Sequence, residues 1–248
     1  GKGSLVAMIK GTKSEDIIYY LNHLPRAKRL KVKEITIDLS PSMRLIAKRA
    51  FPNATIVSDR FHVQKLMNEA ISDLRVDYRW QAIDQENEEI AFAKELGRKF
   101  IPDVFKNGDT RRQLLARSRH IVMKHYSKWT DSQRRRAEIL FREYPIIEEA
   151  YNVSMKLTEI FNTKCSKGEA LTKLARWYEG VEKLNCKYFN SVIQTMQNNY
   201  ATIANYFENR STNASAESFN AKVKAFRNQF RGVADIPFFI FRLATIFA

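Results

Sequence analysis

The stretch Lys33-Glu-Ile-Thr-Ile-Asp38, followed by Leu39-Ser40-Pro41, decides the fold class of this chain. It begins as a β-branched run, which is typical of a strand, and it closes on an acidic residue. Serine before proline is the pattern of a helix N-cap followed by the first helical position, and the helix is expected to end before Pro52. A second strand is predicted over Ala54-Thr-Ile-Val-Ser-Asp59.

The same alternation extends upstream of this stretch. Residues 5–9 form a short apolar run of strand type, and Ser14 is predicted to cap a helix that continues to Leu21. Strands that alternate with helices over short connections build a parallel sheet, so an α/β fold is predicted. Asp38 and Asp59 then fall at the same edge of the sheet, which is where open α/β sheets bind their ligands.

Residues 61–207 show helical periodicity without a further convincing strand. Breaks are predicted at Pro102, Gly108-Asp109, Trp129-Thr130, Pro145, Gly168 and Gly180. The pattern predicts a large all-helical insertion, with a first domain part at 1–75, the insertion at 76–207, and the return of the first domain at 208–248.

The charge of the chain indicates its partner. Lys and Arg number 42 against 27 Asp and Glu, for a net charge of +15. Such an excess indicates a phosphate backbone as the partner, although a protein that merely happens to be basic is the alternative. No run approaches the roughly 18 apolar residues of a membrane span, and no signal peptide is recognised. We therefore expect no membrane partner and a location in the cytosol or nucleoid.

A helix predicted over 213–231 carries two distinct stripes. The apolar stripe comprises Ala216, Phe219, Val223, Phe226 and Phe230. The polar stripe, about 100° round the helix, comprises Asn213, Glu217, Asn220, Lys224, Arg227 and Arg231. A carboxylate that holds a metal, with cations beside it for phosphates, has this spacing. An ordinary amphipathic surface helix is the alternative.

Four segments, in the same order along the chain, resemble the ISL3 group of bacterial insertion-sequence transposases. They are Ile35–Ser40, Ser58–Leu66, Ser211–Arg227 and Asp235–Ala244. The resemblance implies an RNase H-like catalytic domain with a DDE triad of carboxylates that binds two Mg²⁺ ions, for which Mn²⁺ is a possible substitute. It also implies DNA cleavage and strand transfer, on transposon ends and a target, by an oligomer that is at least a dimer.

The resemblance assigns roles to residues of this chain. Asp38 matches the second catalytic and metal-binding carboxylate, and Glu217 matches the third. No Asp or Glu precedes Glu15. We therefore expect the first carboxylate, with the first strands of the fold and a DNA-binding segment, to lie upstream of Gly1. On that expectation the chain as given is catalytically incompetent.

Other residues are expected to assist. Asp59 and His62 match a D-x-x-H signature of related transposases, and with Asn220 they are predicted to support the site; a plain N-cap and a packed histidine are the alternative. Arg60, Lys224, Arg227 and Arg231 are predicted to contact DNA.

Basic clusters in the helical block are consistent with further phosphate contacts. They are Arg111-Arg112, Arg117-Ser-Arg119-His120 and Arg134-Arg-Arg136. Trp129 and Trp177 are candidates for stacking on a base, although core packing is favoured for a tryptophan among helices. Two other functions stay open: a non-cleaving DNA-binding protein derived from a transposase, and a hydrolytic nuclease on the same fold.

Overall fold

The computed structural model describes most of the chain as two compact units. One unit contains residues 1–60 and 201–248 and is called the strand unit here; the other, the helical unit, contains residues 61–200. The described residues are 9, 11–212, 214–229, 233 and 235–247, without the side chains of 214–217, 244 and 247. Each unit is described by itself.

The strand unit contains a parallel pair of strands. Strand β1 (Glu34–Ile37) pairs with β2 (Thr55–Ser58) in a register that places Ile37 opposite Ser58. Helix α3 (Pro41–Ala50) connects them, with proline in its first turn, because a missing N–H costs nothing there. Both strands, their parallel pairing and this helix are as predicted. The strand predicted at 5–9 lies outside the described residues except for Ile9, which is in no regular element.

Two short helices precede the strands. Helix α1 (Ser14–Asn22) packs against α3, and α2 (Arg26–Arg29) forms in the basic stretch before β1. The prediction of Ser14 as N-cap is wrong, because Ser14 is already the first helical residue. Arg29 ties α2 to the end of α3, since its Nη1 donates to the carbonyl of Ala50 at 2.7 Å.

Three helices complete the strand unit: α10 (Tyr200–Asn209), α11 (Ala214–Gln229) and α12 (Ile236–Phe247). Helix α10 buries Ile203, Ala204, Tyr206 and Phe207. Phe226 of α11 stacks against Phe239 of α12, with ring centroids 5.5 Å apart. The helix predicted over 213–231 is confirmed over 214–229, and its ends at Asn213, Phe230 and Arg231 lie outside the described residues.

The helical unit contains no strand between residues 61 and 200, all of which are described. Its elements are α4 (Arg60–Glu95), α5 (Arg111–Arg117), a 3₁₀ turn (Tyr126–Lys128), α6 (Asp131–Glu143), α7 (Pro145–Asn162), α8 (Lys167–Leu184), a second 3₁₀ turn (Lys187–Phe189) and α9 (Asn190–Asn198). Thr110, Thr130 and Ser166 begin α5, α6 and α8 with capping boxes. The predicted break at Gly180 is wrong, since α8 continues through it, whereas the break predicted at Gly168 lies slightly earlier, between the end of α7 and the start of α8 at Lys167.

The boundaries between the two units differ from the predicted domain limits. They divide after residues 60 and 200, whereas the sequence pattern placed the insertion at 76–207. Those limits stay a prediction. The described residues are thus mainly helical with one two-stranded parallel sheet. No helix in the described residues combines the length and apolar character that crossing a bilayer requires.

Candidate active site

Two aspartates follow the two parallel strands at the same edge. Asp38 comes directly after β1 and Asp59 directly after β2, and the last residues of these strands are partners in the register. The backbone N–H of Asp59 donates to the carbonyl of Ile37 at 2.8 Å, which continues the ladder one step past the strands. The expectation that both aspartates fall at one edge is therefore confirmed.

Only one oxygen of the Asp38 carboxylate has a hydrogen-bond partner among the described residues. Its Oδ1 accepts a hydrogen bond from the backbone N–H of Ser40 at 3.0 Å, in the turn that leads into α3. The Ser40 hydroxyl pairs with Ser42 instead of capping the helix. Within the described part of the chain Asp38 has no ion pair and its Oδ2 has no hydrogen bond. The turn therefore orients a half-buried carboxylate and leaves one oxygen for a cation.

Asp59 lies much deeper than Asp38. It is 2% exposed and occupies the position immediately before α4, where the positive end of the helix dipole stabilises a carboxylate. The preceding Ser58 is also buried, and its hydroxyl is 2.7 Å from that of Thr202. This burial fits a supporting role better than direct contact with a large substrate.

Helix α10 is held against the strands by polar side chains that the sequence analysis did not single out. Asn205 donates to the carbonyl of Ile56 at 2.9 Å, and Asn209 donates to the Glu34 carboxylate at 2.7 Å. With Thr202 these residues recur at helical spacing, which is the signal that was available in the sequence. Since Thr202 is beside the end of β2 and Asn209 beside the start of β1, α10 runs antiparallel to the strands.

Arg60 and His62 occupy the first turn of α4. Arg60 Nη1 donates to the Tyr206 hydroxyl at 3.3 Å, so its guanidinium is partly held within the strand unit. The half-buried His62 ring meets Phe61 edge to face, with centroids 5.7 Å apart. The supporting role of His62 and DNA contact by Arg60 stay predictions.

Helix α11 presents the two faces that its sequence predicts. Phe219, Val223 and Phe226 are half-buried, whereas Asn220, Lys224 and Arg227 are exposed. The Glu217 side chain and the whole of Arg231 lie outside the described residues. A meeting of Asp38 and Glu217 therefore stays a prediction. Among the described side chains, no three His, Cys, Asp or Glu residues are grouped closely enough to hold a metal ion.

Each predicted basic cluster in the helical unit has at least one arginine that is engaged within the protein. Arg117 and Arg136 both bind the fully buried Asp109, Arg136 with its Nε 2.8 Å from Oδ2. Burial alone raises the pKa of Asp109, but hydrogen bonds from both arginines outweigh it and hold this pKa below its ordinary value. Arg112 pairs with Glu86 at 3.1 Å.

The remaining arginines of these clusters are exposed and have no ion pair within the described chain. Arg119, Arg134 and Arg135 are exposed, and none has a hydrogen bond or ion pair within the described chain. Arg111 donates to Gln85 at 3.1 Å. Within these clusters, the prediction of phosphate contacts therefore applies best to Arg119, Arg134 and Arg135.

Two tryptophans of the helical unit are packing residues. Trp177 is 3% exposed and donates to the carbonyl of Val153 at 2.9 Å. Trp129 donates to the carbonyls of Ile121 and Lys124, both at 3.1 Å, and stacks against Tyr151. The favoured alternative of core packing is thus confirmed for both.

The comparisons with known proteins identify the family. No curated protein and no solved structure matches the chain. A family model, DDE_Tnp_ISL3, described as transposase, matches residues 1–243. That match covers both strands, the helical unit and the helix that bears Glu217. The chain therefore belongs to the ISL3 transposase family.

Proposed function

We propose that this DNA transposase cuts a transposon end and joins it to target DNA, using two divalent ions held in part by Asp38 and Glu217. Membership of the transposase family supports DNA transposition as the process. The two-ion chemistry, the RNase H-like fold of the strand unit, and an additional carboxylate upstream of Gly1 are proposed on the resemblance of the segments around these residues.

The state of the Asp38 carboxylate carries the proposal. A ligand for Mg²⁺ needs a carboxylate that is oriented by the scaffold and has an oxygen not already paired with a cation. Asp38 meets these requirements in the described residues: Ser40 fixes one oxygen, and the other has no partner. A carboxylate whose role was structural is expected to have a basic partner, as Asp109 does.

The chain connection allows Glu217 to approach Asp38. Asn209, at the end of α10, contacts Glu34 at the start of β1. Asp38 lies four residues further on, or about 13 Å along an extended strand. The four residues between α10 and α11 span at most roughly 14 Å, and the first turn of α11 adds further reach. Glu217 is therefore within range of the same sheet edge.

The residues of the site have separable roles in this reaction. When bound, two Mg²⁺ ions lower the pKa of water and stabilise the oxygens of an in-line displacement at phosphorus. Asp38 and Glu217 supply anionic oxygen ligands. Lys224 and Arg227 lie one turn apart, further along the exposed face of α11, and are suited to binding the phosphates next to the scissile one.

The first experiment measures Mn²⁺ binding to this chain by calorimetry, without DNA. Asp38→Asn and Glu217→Gln are each expected to weaken binding about 10-fold or more, because each removes an anionic ligand. Asp131→Asn, an exposed aspartate in the first turn of α6, is the matched control and should leave binding unchanged. Equal binding by all four proteins would refute the ligand assignment.

A second experiment uses protein that includes the additional carboxylate implied by the resemblance. Asp38→Ala is expected to lower Mg²⁺-dependent DNA cleavage by about 10³-fold or more while DNA binding persists. A strand-transfer assay then distinguishes the alternatives. Products joined to target DNA support the transposase, products that are only cut indicate a nuclease, and binding without cleavage by the wild-type protein indicates a non-catalytic DNA-binding protein.

A further inference from the structure

Arg75 is a buried arginine without an acidic partner. It lies on α4 and is 4% exposed. Its Nη1 donates to the carbonyl of Leu115 at 2.7 Å, whereas its Nε is buried without a hydrogen-bond partner. Among the described residues, which include the whole helical unit, no carboxylate forms an ion pair with Arg75. A buried guanidinium is costly unless an anion compensates its charge, so this one requires an explanation.

Two further arginines lie close to this buried guanidinium. Arg79 is one turn further along α4, and Arg119 follows Leu115 by four residues, just past the end of α5. Burial lowers the pKa of Arg75, and the positive charges of Arg79 and Arg119 lower it further. Both neighbours are exposed, and neither side chain has a hydrogen bond or an ion pair within the described chain. Three guanidinium groups therefore share one part of the helical unit.

The acidic residues of the unit do not compensate this group of charges. On α4, no Asp or Glu stands three or four positions from Arg75 or Arg79, the distances at which helical side chains pair. The buried Asp109 binds Arg117 and Arg136 instead. The positive charge around Arg75 is thus left without a carboxylate from the described chain.

The carbonyl of Leu115 accounts for only part of the arrangement. It is one of the last carbonyls of α5, so it gives Arg75 an acceptor at the negative end of a helix. A helix end carries about half an elementary charge at most, which does not balance three guanidinium groups. Capping of α5 therefore explains how Arg75 is oriented, and an anion is still needed to explain the other two arginines.

We propose that Arg75, Arg79 and Arg119 together bind one phosphate of a DNA backbone. A guanidinium presents a planar fork of donors that matches the geometry of a phosphate. Arg75 is held in place through Leu115 and has its Nε as a spare donor. The two exposed arginines have long side chains that rearrange to admit the phosphate and then donate to it, as side chains at interfaces commonly do. Such a contact positions DNA without reading its sequence.

The inference rests on DNA as the partner in the proposed function, but it does not involve the metal site. All three arginines belong to the helical unit or to its helix α4, whereas Asp38, Glu217 and Lys224 belong to the strand unit. Binding assays on the full chain without divalent metal therefore test the arginines separately from the carboxylates.

The first probe is duplex DNA, followed by fluorescence anisotropy at several salt concentrations. Replacing the buried Arg75 risks unfolding the protein, so the exposed Arg79→Gln and Arg119→Gln are used. Each is expected to weaken binding about 5–10-fold and to reduce the slope of log K against log salt by about 1. Arg176→Gln, which removes the same charge from an exposed and unpaired arginine of α8, should leave binding unchanged.

A double variant tests whether the arginines share one phosphate. Residues that hold the same group are coupled, so Arg79→Gln with Arg119→Gln should weaken binding by less than the product of the two single effects. Single effects that multiply in full would mean that the two arginines contact separate phosphates, and the shared site would be wrong.

The second probe is inorganic phosphate, compared with chloride at equal ionic strength. Binding to the folded state alone should raise the Tm of the wild type by a few degrees more than that of Arg79→Gln or Arg119→Gln. The general stabilising effect of phosphate acts on all variants and cancels in this comparison. Arg176→Gln should respond as the wild type does.

Three results would overturn the proposal. DNA affinity and the response to phosphate that are both unchanged in Arg79→Gln and Arg119→Gln would remove the site altogether. A response to phosphate that is lost while DNA affinity is unchanged would indicate a site for a free anion. DNA affinity that falls while the response to phosphate persists would indicate scattered surface contacts. None of these outcomes bears on Asp38 or Glu217, so the two proposals fail separately.

Discussion

The strand unit and the helical unit differ in how far certain of their charged residues are paired within the protein. In the helical unit, Arg117 and Arg136 converge on the buried Asp109, and Arg112 is paired with Glu86. In the strand unit, Asp38 has no cationic partner among the described residues, and the exposed cations of α11 are likewise without an ion pair there. Whether the charges of a basic cluster are paired within the protein therefore says more about DNA binding than the number of charges in the cluster.

This difference has a physical basis. A charge that is buried must be compensated within the protein, because its desolvation costs several kcal/mol. A charge intended for a ligand must keep part of its bonding capacity for that ligand. The comparison thus separates charges that stabilise the helical unit from those available to metal and DNA, and the predictions on Asp109 and Lys224 each test one side of it.

The largest expected effect is on Asp109. Asp109→Asn removes the anion that two arginines share and leaves them near a buried neutral amide, so the free energy of unfolding should fall by about 3–5 kcal/mol. Chemical denaturation at neutral pH, followed by circular dichroism, measures it. Asp103→Asn, at an exposed aspartate of the same unit, should change stability by less than about 0.5 kcal/mol. Equal effects would show that the Asp109 cluster is not a structural element.

The cluster of Asp109 with Arg117 and Arg136 also predicts how the stability of the fold depends on pH. The pKa of Asp109 is held below its ordinary value in the folded protein, so its ionised form stabilises the fold above that ordinary value, about 4. This stabilisation is lost as the pH falls through the lowered pKa. The difference in stability between wild type and Asp109→Asn should therefore be constant from pH 7 to about 5 and narrow below about 4. A difference that widens on acidification would contradict the assigned direction.

The sequence predicted the strand unit better than the helical unit. The β-branched runs before Asp38 and Asp59 and the Ser40-Pro41 signal predict β1, α3 and β2 because local pattern and fold agree there. The two stripes of α11 were predictable for the same reason, since helical periodicity alone fixes them. A meeting of Glu217 with Asp38 stays a prediction, because it depends on how α10 and α11 return to the sheet, and local sequence patterns do not fix that path.

The charge network of the helical unit was beyond the reach of sequence patterns. Asp109 lies next to Gly108 in what reads as a turn, and only the fold brings Arg136, 27 positions away, onto it.

Polar contacts between α10 and the strands give a smaller, graded effect. Asn205 donates to the Ile56 carbonyl in a partly buried position, whereas Asn209 meets Glu34 in an exposed one. Asn205→Ala should lower the free energy of unfolding by about 1–2 kcal/mol, because it leaves a partly buried carbonyl without its donor. Asn209→Ala should cost less than about 0.5 kcal/mol, since water replaces the lost donor. Equal losses would mean that α10 is not held through its buried polar face.

The smallest expected effect is on DNA binding, and it tests the comparison between paired and unpaired cations most directly. Lys224→Ala and Arg112→Ala each remove one positive charge, but only Lys224 is exposed on α11 without an ion pair among the described residues, while Arg112 is paired with Glu86. A cation that contacts a phosphate releases a counterion, so Lys224→Ala should reduce the slope of log K against log salt by about 1 and weaken DNA binding several-fold. Arg112→Ala should leave the slope unchanged, because its charge is already neutralised. Fluorescence anisotropy with labelled duplex DNA at several salt concentrations measures both slopes. Equal decreases would show that net charge, and not its engagement within the protein, determines how this transposase binds DNA.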